Sequence, residues 1–139
     1  MYIKMSDFFT DMGKDFTMEV LDIAEKLSQK EGDLLFHAGD PANHFYVLLK
    51  GRVKLSLGDS GPVVYMVRRP GEIIGWSGLI GRDAYSAGGE CMQATHLLKF
   101  DCDVFLKILH KYPKNEALLF KRLAETLGNR LLELYPTIS

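Results

Sequence analysis

The sequence predicts a mainly β domain flanked by helices, and three observations carry that prediction. Glycines crowd between Gly32 and Gly89, short apolar stretches recur between turn residues over the same span, and helical periodicity occupies both ends. The candidate strands are residues 34–36, 45–49, 53–57, 63–68, 90–94 and 97–100, so residues 33–100 read as a sandwich or barrel of short strands. Lys50-Gly51 is short enough to join two of them as a hairpin, and Asp59-Ser60-Gly61-Pro62 offers a longer turn. The pairing is therefore expected to be antiparallel in the main.

A first helix is predicted over residues 17–31. Thr17 suits its N-cap, Phe16 and Leu21 have the spacing of a hydrophobic staple, Val20, Ala24 and Leu27 share a face, and Gly32 ends it. Two helices are predicted over 101–135. Asp101 caps the first, with Phe100 and Phe105 at staple spacing and Phe105, Ile108, Leu109 and Tyr112 on its buried face. Pro113 suits the first position of the second, which is expected to run to Tyr135 and stop at Pro136, a length of roughly 34 Å.

The apolar arc of that last helix holds Leu119, Phe120, Leu123, Ala124, Leu127, Leu131, Leu134 and Tyr135, wider than one packing surface requires. Gly128 costs about 1 kcal/mol inside a helix relative to alanine, but beside Ala124 it lets another backbone approach closely. A homodimer is expected through Phe120, Leu123, Ala124, Leu127, Gly128 and Leu131; the competing reading packs the whole arc on the domain's own barrel.

Composition narrows the function classes. The 139 residues fit one domain, and 47% hydrophobic with 25% charged residues is ordinary for a globular chain. Seventeen basic and eighteen acidic side chains leave a formal charge of −1, which provides no broad positive field for a nucleic acid. No apolar run approaches the roughly 20 residues of a membrane span, and residues 1–9 carry charge in place of a signal core, so a cytoplasmic location is expected. Cys91 and Cys102 have no metal or redox spacing and read as packed thiols, although Cys102 falls in a first helical turn where a dipole favours thiolate. His37, His44, His96 and His110 are scattered without the spacing of a metal site. No Ser-His-Asp order, P-loop or framed carboxylate pair emerges, so no catalytic residue and no enzyme activity is expected. The basic residues of Lys50-Gly51-Arg52-Val53-Lys54 and of Arg68-Arg69 read as solvated strand edges.

Several spaced motifs resemble one family. Glu31-Gly32-Asp33-Leu34-Leu35-Phe36, Ala38-Gly39-Asp40, the run from Phe45 through Gly51 to Leu55, and Pro70-Gly71-Glu72-Ile73-Ile74-Gly75 are similar to the cyclic-nucleotide-binding domain of catabolite-activator-type regulators, cyclic-nucleotide-dependent kinases and gated channels. The resemblance covers nearly the whole chain. It implies a jelly-roll-like β-roll, a double-stranded β-helix, with an N-terminal helix and two C-terminal helices. It also implies a phosphate-binding cassette in which helix-start amides and an arginine hold the cyclic phosphate and a glutamate holds the ribose hydroxyl.

The matching segment here supplies the candidate ligand residues Gly75, Trp76, Ser77, Gly78, Leu79, Arg82, Tyr85, Ser86 and Ala87, with Tyr135 of the long helix as an aromatic lid. By that resemblance Trp76 stands in the glutamate's place and Tyr85 in the arginine's, while Ser86 keeps a small hydroxyl residue. An indole offers one donor and no acceptor, and the lost arginine removes a charge-assisted bond worth about 1.5–3 kcal/mol, so affinity for cyclic AMP is expected to fall sharply. Trp76 is expected to intrude on the sugar site; Arg82 is a substitute cation. No cofactor is expected, and haem would require a histidine or cysteine beside the pocket.

Two functions follow from the resemblance: a sensor of a small ligand other than cyclic AMP that signals through its C-terminal helices, or a domain with a filled pocket serving dimerisation or protein docking. In the catabolite-activator branch a helix-turn-helix follows the long helix; four residues follow Tyr135 here, so output through a separate partner is expected.

Overall fold

Eight strands in two four-stranded antiparallel sheets form the body of the protein, in a computed structural model that describes residues 9–58 and 61–138, with side chains described as far as Tyr135. In chain order the elements are α1 (Lys14–Ile23), β1 (Glu25–Gln29), β2 (Leu34–Phe36), β3 (His44–Lys50), β4 (Val53–Ser56), β5 (Val63–Val67), β6 (Ile73–Ile74), a 3₁₀ helix (Trp76–Ile80), β7 (Gly88–Cys91), β8 (Thr95–Asp101), α2 (Cys102–His110) and α3 (Pro113–Ile138). One sheet has the order β1-β8-β3-β6 and the other β2-β7-β4-β5. This is the expected β-roll with helices at both ends.

Side-chain alternation along β3 and β8 divides the interior in two. Phe45, Val47, Ile73, Leu98 and Phe100 face the helices, where they join Phe16, Val20, Phe105, Leu109, Leu119 and Leu123. Their neighbours Tyr46, Leu48, Ile74 and Leu97 face the inside of the roll, against Phe36, Val53, Leu55, Val67, Tyr85 and Cys91 of the second sheet and the loop before it. A strand's period of two sends consecutive residues to opposite faces, so a strand buried on both sides must be apolar throughout, as residues 45–49 are. The ring of Phe45 anchors the helical side, lying 4.9 Å from both Phe100 and Phe105, stacked on the first and edge-on to the second.

The predicted helix over 17–31 is corrected. Helix α1 begins after Gly13, Thr17 lies inside it with its hydroxyl donating to the Gly13 carbonyl at 2.7 Å, and Ala24 turns extended at ψ 131°. Residues 25–29 then pair with β8, from Glu25 opposite Lys99 to Gln29 opposite Thr95. The physical reason is that Val20 and Leu27 serve different interiors: Val20 is buried among the helices, whereas Leu27 packs on the roll cluster. Gly32 therefore ends no helix; it turns β1 into β2 with its N–H donating to the Cys91 carbonyl at 2.7 Å.

Other boundaries shift. The strand expected at 90–94 is Gly88–Cys91, and the two-residue β6 was not expected. Part of the Asp59-Ser60-Gly61-Pro62 turn, like most of residues 1–9, lies outside the described residues, though Leu57 N–H donates to the Pro62 carbonyl across it. The Asp101 cap is present, its carboxylate accepting from Val104 N–H at 3.0 Å. Helix α3 continues past Pro136 to Ile138, because a proline in a last turn removes one rung where few remain to be lost.

The dimer arc is also corrected in part. Leu123 is 2% exposed and belongs with Leu119 to the domain's own core, and Phe120 and Leu127 are half-buried against it. Of the six expected interface residues, Ala124, Gly128 and Leu131 face outward. No helix among the described residues is long and apolar enough to cross a membrane.

The hairpin expected at Lys50-Gly51 is corrected: β3 pairs with β6 and β8 and β4 with β5 and β7, so this turn carries the chain from one sheet to the other, on a backbone that only glycine tolerates. Gly51 has φ 118°, and a Cβ there would lie 2.5 Å from Thr95 Oγ1 and 2.7 Å from Thr95 Cα. Gly51→Ala is expected to destabilise the fold by about 2–4 kcal/mol, read as a lower urea midpoint at unchanged m value.

Candidate functional site

The loop from β6 to β7 begins where Ile74 leaves the first sheet. Gly75 takes the left-handed conformation (φ 77°, ψ 41°), the short 3₁₀ helix Trp76–Ile80 follows, and Gly81 closes it, again left-handed. The loop is then tied to the β2–β3 connection: Tyr85 N–H donates to the Asp40 carbonyl, Gly39 N–H to the Tyr85 carbonyl and Ala42 N–H to the Asp83 carbonyl, all near 3.0 Å. The segment between β6 and β7 is thus a loop framed by the left-handed Gly75 and Gly81. It is tightly packed, since a Cβ on Gly78 would sit 2.2 Å from the Ala42 carbonyl oxygen and one on Gly75 3.1 Å from the Tyr85 ring.

Tyr85 fills the inside of the roll. Its ring stacks on Phe36 with centroids 4.0 Å apart and planes 18° apart, and Phe36 in turn stacks on Tyr46 at 6.1 Å. Its hydroxyl donates to the His44 carbonyl at 2.6 Å, so the polar end is satisfied as well. Burial, with Tyr46 adding, pushes the phenol well above its ordinary value; the group is a neutral donor. Gly89 completes the arrangement, because a Cβ there would come within 3.1 Å of the Phe36 ring.

A family model for the cyclic nucleotide-binding domain matches residues 26–112. The chain belongs to that family. Among curated proteins none matches it. The N-terminal domain of a transcriptional regulator from Streptomyces coelicolor A3(2) is 25% identical with a TM-score of 0.71, over 89% of this chain and 90% of that one. Two further structures show the shared fold alone: the Thermus thermophilus catabolite activator protein (23%, TM-score 0.76, 93% of this chain and 62% of that one) and the sensor domain of the transcriptional regulator DNR from Pseudomonas aeruginosa (20%, 0.74, 92% and 87%).

Within this cyclic nucleotide-binding domain the candidate ligand residues separate. Gly75 and Tyr85 meet inside the roll. Trp76, expected to intrude on the sugar site, instead packs half-buried on the helical cluster, and Leu79 is buried in the same cluster. Trp76 opens the 3₁₀ helix just after the left-handed Gly75, beyond the end of β6, and from there its indole joins the helices. Ser77 is buried, Ala87 is half-buried, and the side chains of Arg82 and Ser86 are exposed. Tyr135, the expected lid, is 47% exposed on α3. Burial, with Asp101 and Asp103 adding, pushes the Cys102 thiol up to about 12, which opposes the thiolate expected at that helix start.

Sequence reasoning missed a second polar centre. Arg130 of α3 is 9% exposed; its guanidinium donates to the Ile73 carbonyl at 2.7 Å, lies 4.4 Å above the Tyr65 ring, and stands 3.9 Å from the Glu72 carboxylate. Glu72 also accepts from the Tyr65 hydroxyl and from the amides of Arg68 and Arg69. The signal available was position: Arg130 follows Leu119, Leu123 and Leu127 at helical spacing, the one charged side chain on that buried stripe.

Burial raises the Glu72 carboxyl, but the Tyr65 hydroxyl, the two amides and Arg130 outweigh it and hold the group below the ordinary carboxylate range. A depressed folded value stabilises above the unfolded value, roughly 4.3, and that contribution is lost as pH falls through the folded one. Glu72→Gln is therefore expected to cost about 1–3 kcal/mol at neutral pH, and thermal melts across an acid series should show the gap to wild type closing below about pH 4.

Proposed function

We propose that this domain is a non-enzymatic sensor whose cassette does not take cyclic AMP, and that it reports a different small ligand through α3, working as a homodimer. The observation that carries the reading is the Tyr85 ring stacked on Phe36, at the position where the family resemblance places the phosphate-binding arginine. Admitting a cyclic phosphate would forgo the arginine's bond, about 1.5–3 kcal/mol, and would also require Tyr85 to leave its stack and its carbonyl, on the order of 3–5 kcal/mol by the scale of large aromatic deletions. Together these remove about three to six decades of affinity. A ligand-free docking module is the second reading, and the same filled interior supports it.

The dimer reading draws on the outer face of α3. Ala117, Lys121, Ala124, Gly128, Leu131 and Tyr135 are all exposed and alternate at spacings of four and three, the seam of a two-helix coil, and a Cβ on Gly128 would meet nothing within 4 Å. Leu131 is 48% and Leu132 59% exposed, apolar area that a second copy would cover.

Calorimetry and thermal shift with cyclic AMP, cyclic GMP and a cyclic dinucleotide are expected to show no binding at micromolar concentration; tight cyclic AMP binding would overturn the cassette reading. Light scattering is expected to give a dimer mass for the wild type and a monomer for Leu131→Glu with an unchanged circular dichroism spectrum, whereas a wild-type monomer at high concentration removes the dimer.

A further inference from the structure

A cleft of about 270 Å³ lies between the turn joining β5 to β6 and the distal half of α3. No residue of the cassette from Gly75 to Ala87 is among those lining it. The turn contributes Arg69 and Glu72, and α3 contributes Arg130 and Glu133, with Thr126 and Asn129 as neutral hydrogen-bonding groups. Two guanidinium and two carboxylate groups give the walls no net charge. A simple anion would face both carboxylates and a simple cation both guanidinium groups, whereas a molecule bearing one charge of each sign finds a partner for each.

Arg130 supplies the second observation. It donates to Ile73, but its Nε is buried and has no hydrogen-bond acceptor among the described residues. Buried polar groups in native proteins are nearly always satisfied, so an unpaired guanidinium N–H on a residue that lines the cleft calls for an acceptor beyond the described side chains, an ordered water or the oxygen of a ligand. The carboxylates are not equivalent either. Glu72 is committed to Tyr65 and two backbone amides, while Glu133 is exposed and close enough to bear on the charge of Arg130. Volume sets the scale: the cleft falls below the roughly 300–1,000 Å³ of sites for drug-sized ligands, so its occupant is smaller than a nucleotide.

We infer that this cleft is a regulatory site for a small zwitterion of the α-amino-acid type, its carboxylate on Arg130 and Arg69 and its ammonium on Glu133. Because the lining comes from both the roll and α3, occupancy spans the joint between them. The regulatory consequence rests on the proposal that α3 is the output; the binding itself does not.

The test follows the Arg130 Nε–Hε resonance of the full chain by nitrogen-edited NMR while the standard L-α-amino acids are added at millimolar concentration, with acetate and methylammonium as single-charge controls. At least one amino acid is expected to move that resonance saturably, with neither control doing so. Arg69→Ala and Glu133→Gln, both at exposed positions, are each expected to weaken binding about tenfold or more with the fold intact. Absence of any saturable shift, an equal shift with acetate, or unchanged affinity in both variants would overturn the inference. Cyclic AMP binding at the cassette alongside an amino-acid response at Arg130 would sink the cassette reading and leave this one standing.

Discussion

The rest of the structure depends on β3, and the Leu97–Leu98 centre of β8 beside it, being buried on both faces. Their mutual register, Phe45 opposite Phe100 and Val47 opposite Leu98, sends one set of side chains to the helices. The intervening residues, Tyr46 and Leu48 with Leu97, go to the roll. A slip of one residue would exchange the two sets, placing Phe45 and Phe100 inside a roll already filled by Phe36 and Tyr85 and stripping the helices of their aromatic anchor. That constraint fixes where α1, α2 and α3 can sit, and with them the apolar surface on which α3 rests its Leu119 and Leu123 side.

The same division explains why the two substitutions in the cassette act differently. Trp76 and Tyr85 look alike in sequence, each an aromatic residue where the family resemblance places a charged one. The first belongs to the helical cluster and the second to the roll. Tyr85 sits inside the roll with its hydroxyl satisfied by the His44 carbonyl, which leaves no polar penalty on that side chain to favour opening. The stack of Tyr85 on Phe36 is consequently a stable arrangement.

Around Arg130 the balance is reversed. Arg130 is buried, paired with Glu72 at a distance longer than a good hydrogen bond, and incompletely satisfied. Such buried pairs seldom add net stability, because removing two charges from water costs about as much as their attraction returns. What the pair does is specify one seat for the distal half of α3, since Arg130 reaches the Ile73 carbonyl from that seat. The unsatisfied Arg130 therefore lies at the joint between the roll and α3, while Tyr85 has both its ring and its hydroxyl partnered.

Local sequence carries much of the architecture. The doubly buried run at 45–49, a tight turn at Gly51, the Asp101 cap and the Pro113 start were legible because each depends on residues within a few positions of one another, whereas the crossing of that turn from one sheet to the other was not. Failures came where a distant partner decided: residues 25–29 have a helix's apolar spacing but are a strand because β8 offers them backbone hydrogen bonds, and Leu123 looks like interface but is core because the roll reaches it first. The site divides in the same way. Sequence alone determined that aromatic residues stand at 76 and 85, where the family resemblance implies charged ones, and that the chain could build a β-roll with a long closing helix. Only tertiary structure decided which aromatic entered the roll and that Arg130 and Glu72, 58 positions apart, would meet. The reason is that a residue's period fixes which face it shares with its neighbours, whereas what lies against that face is set by segments far along the chain.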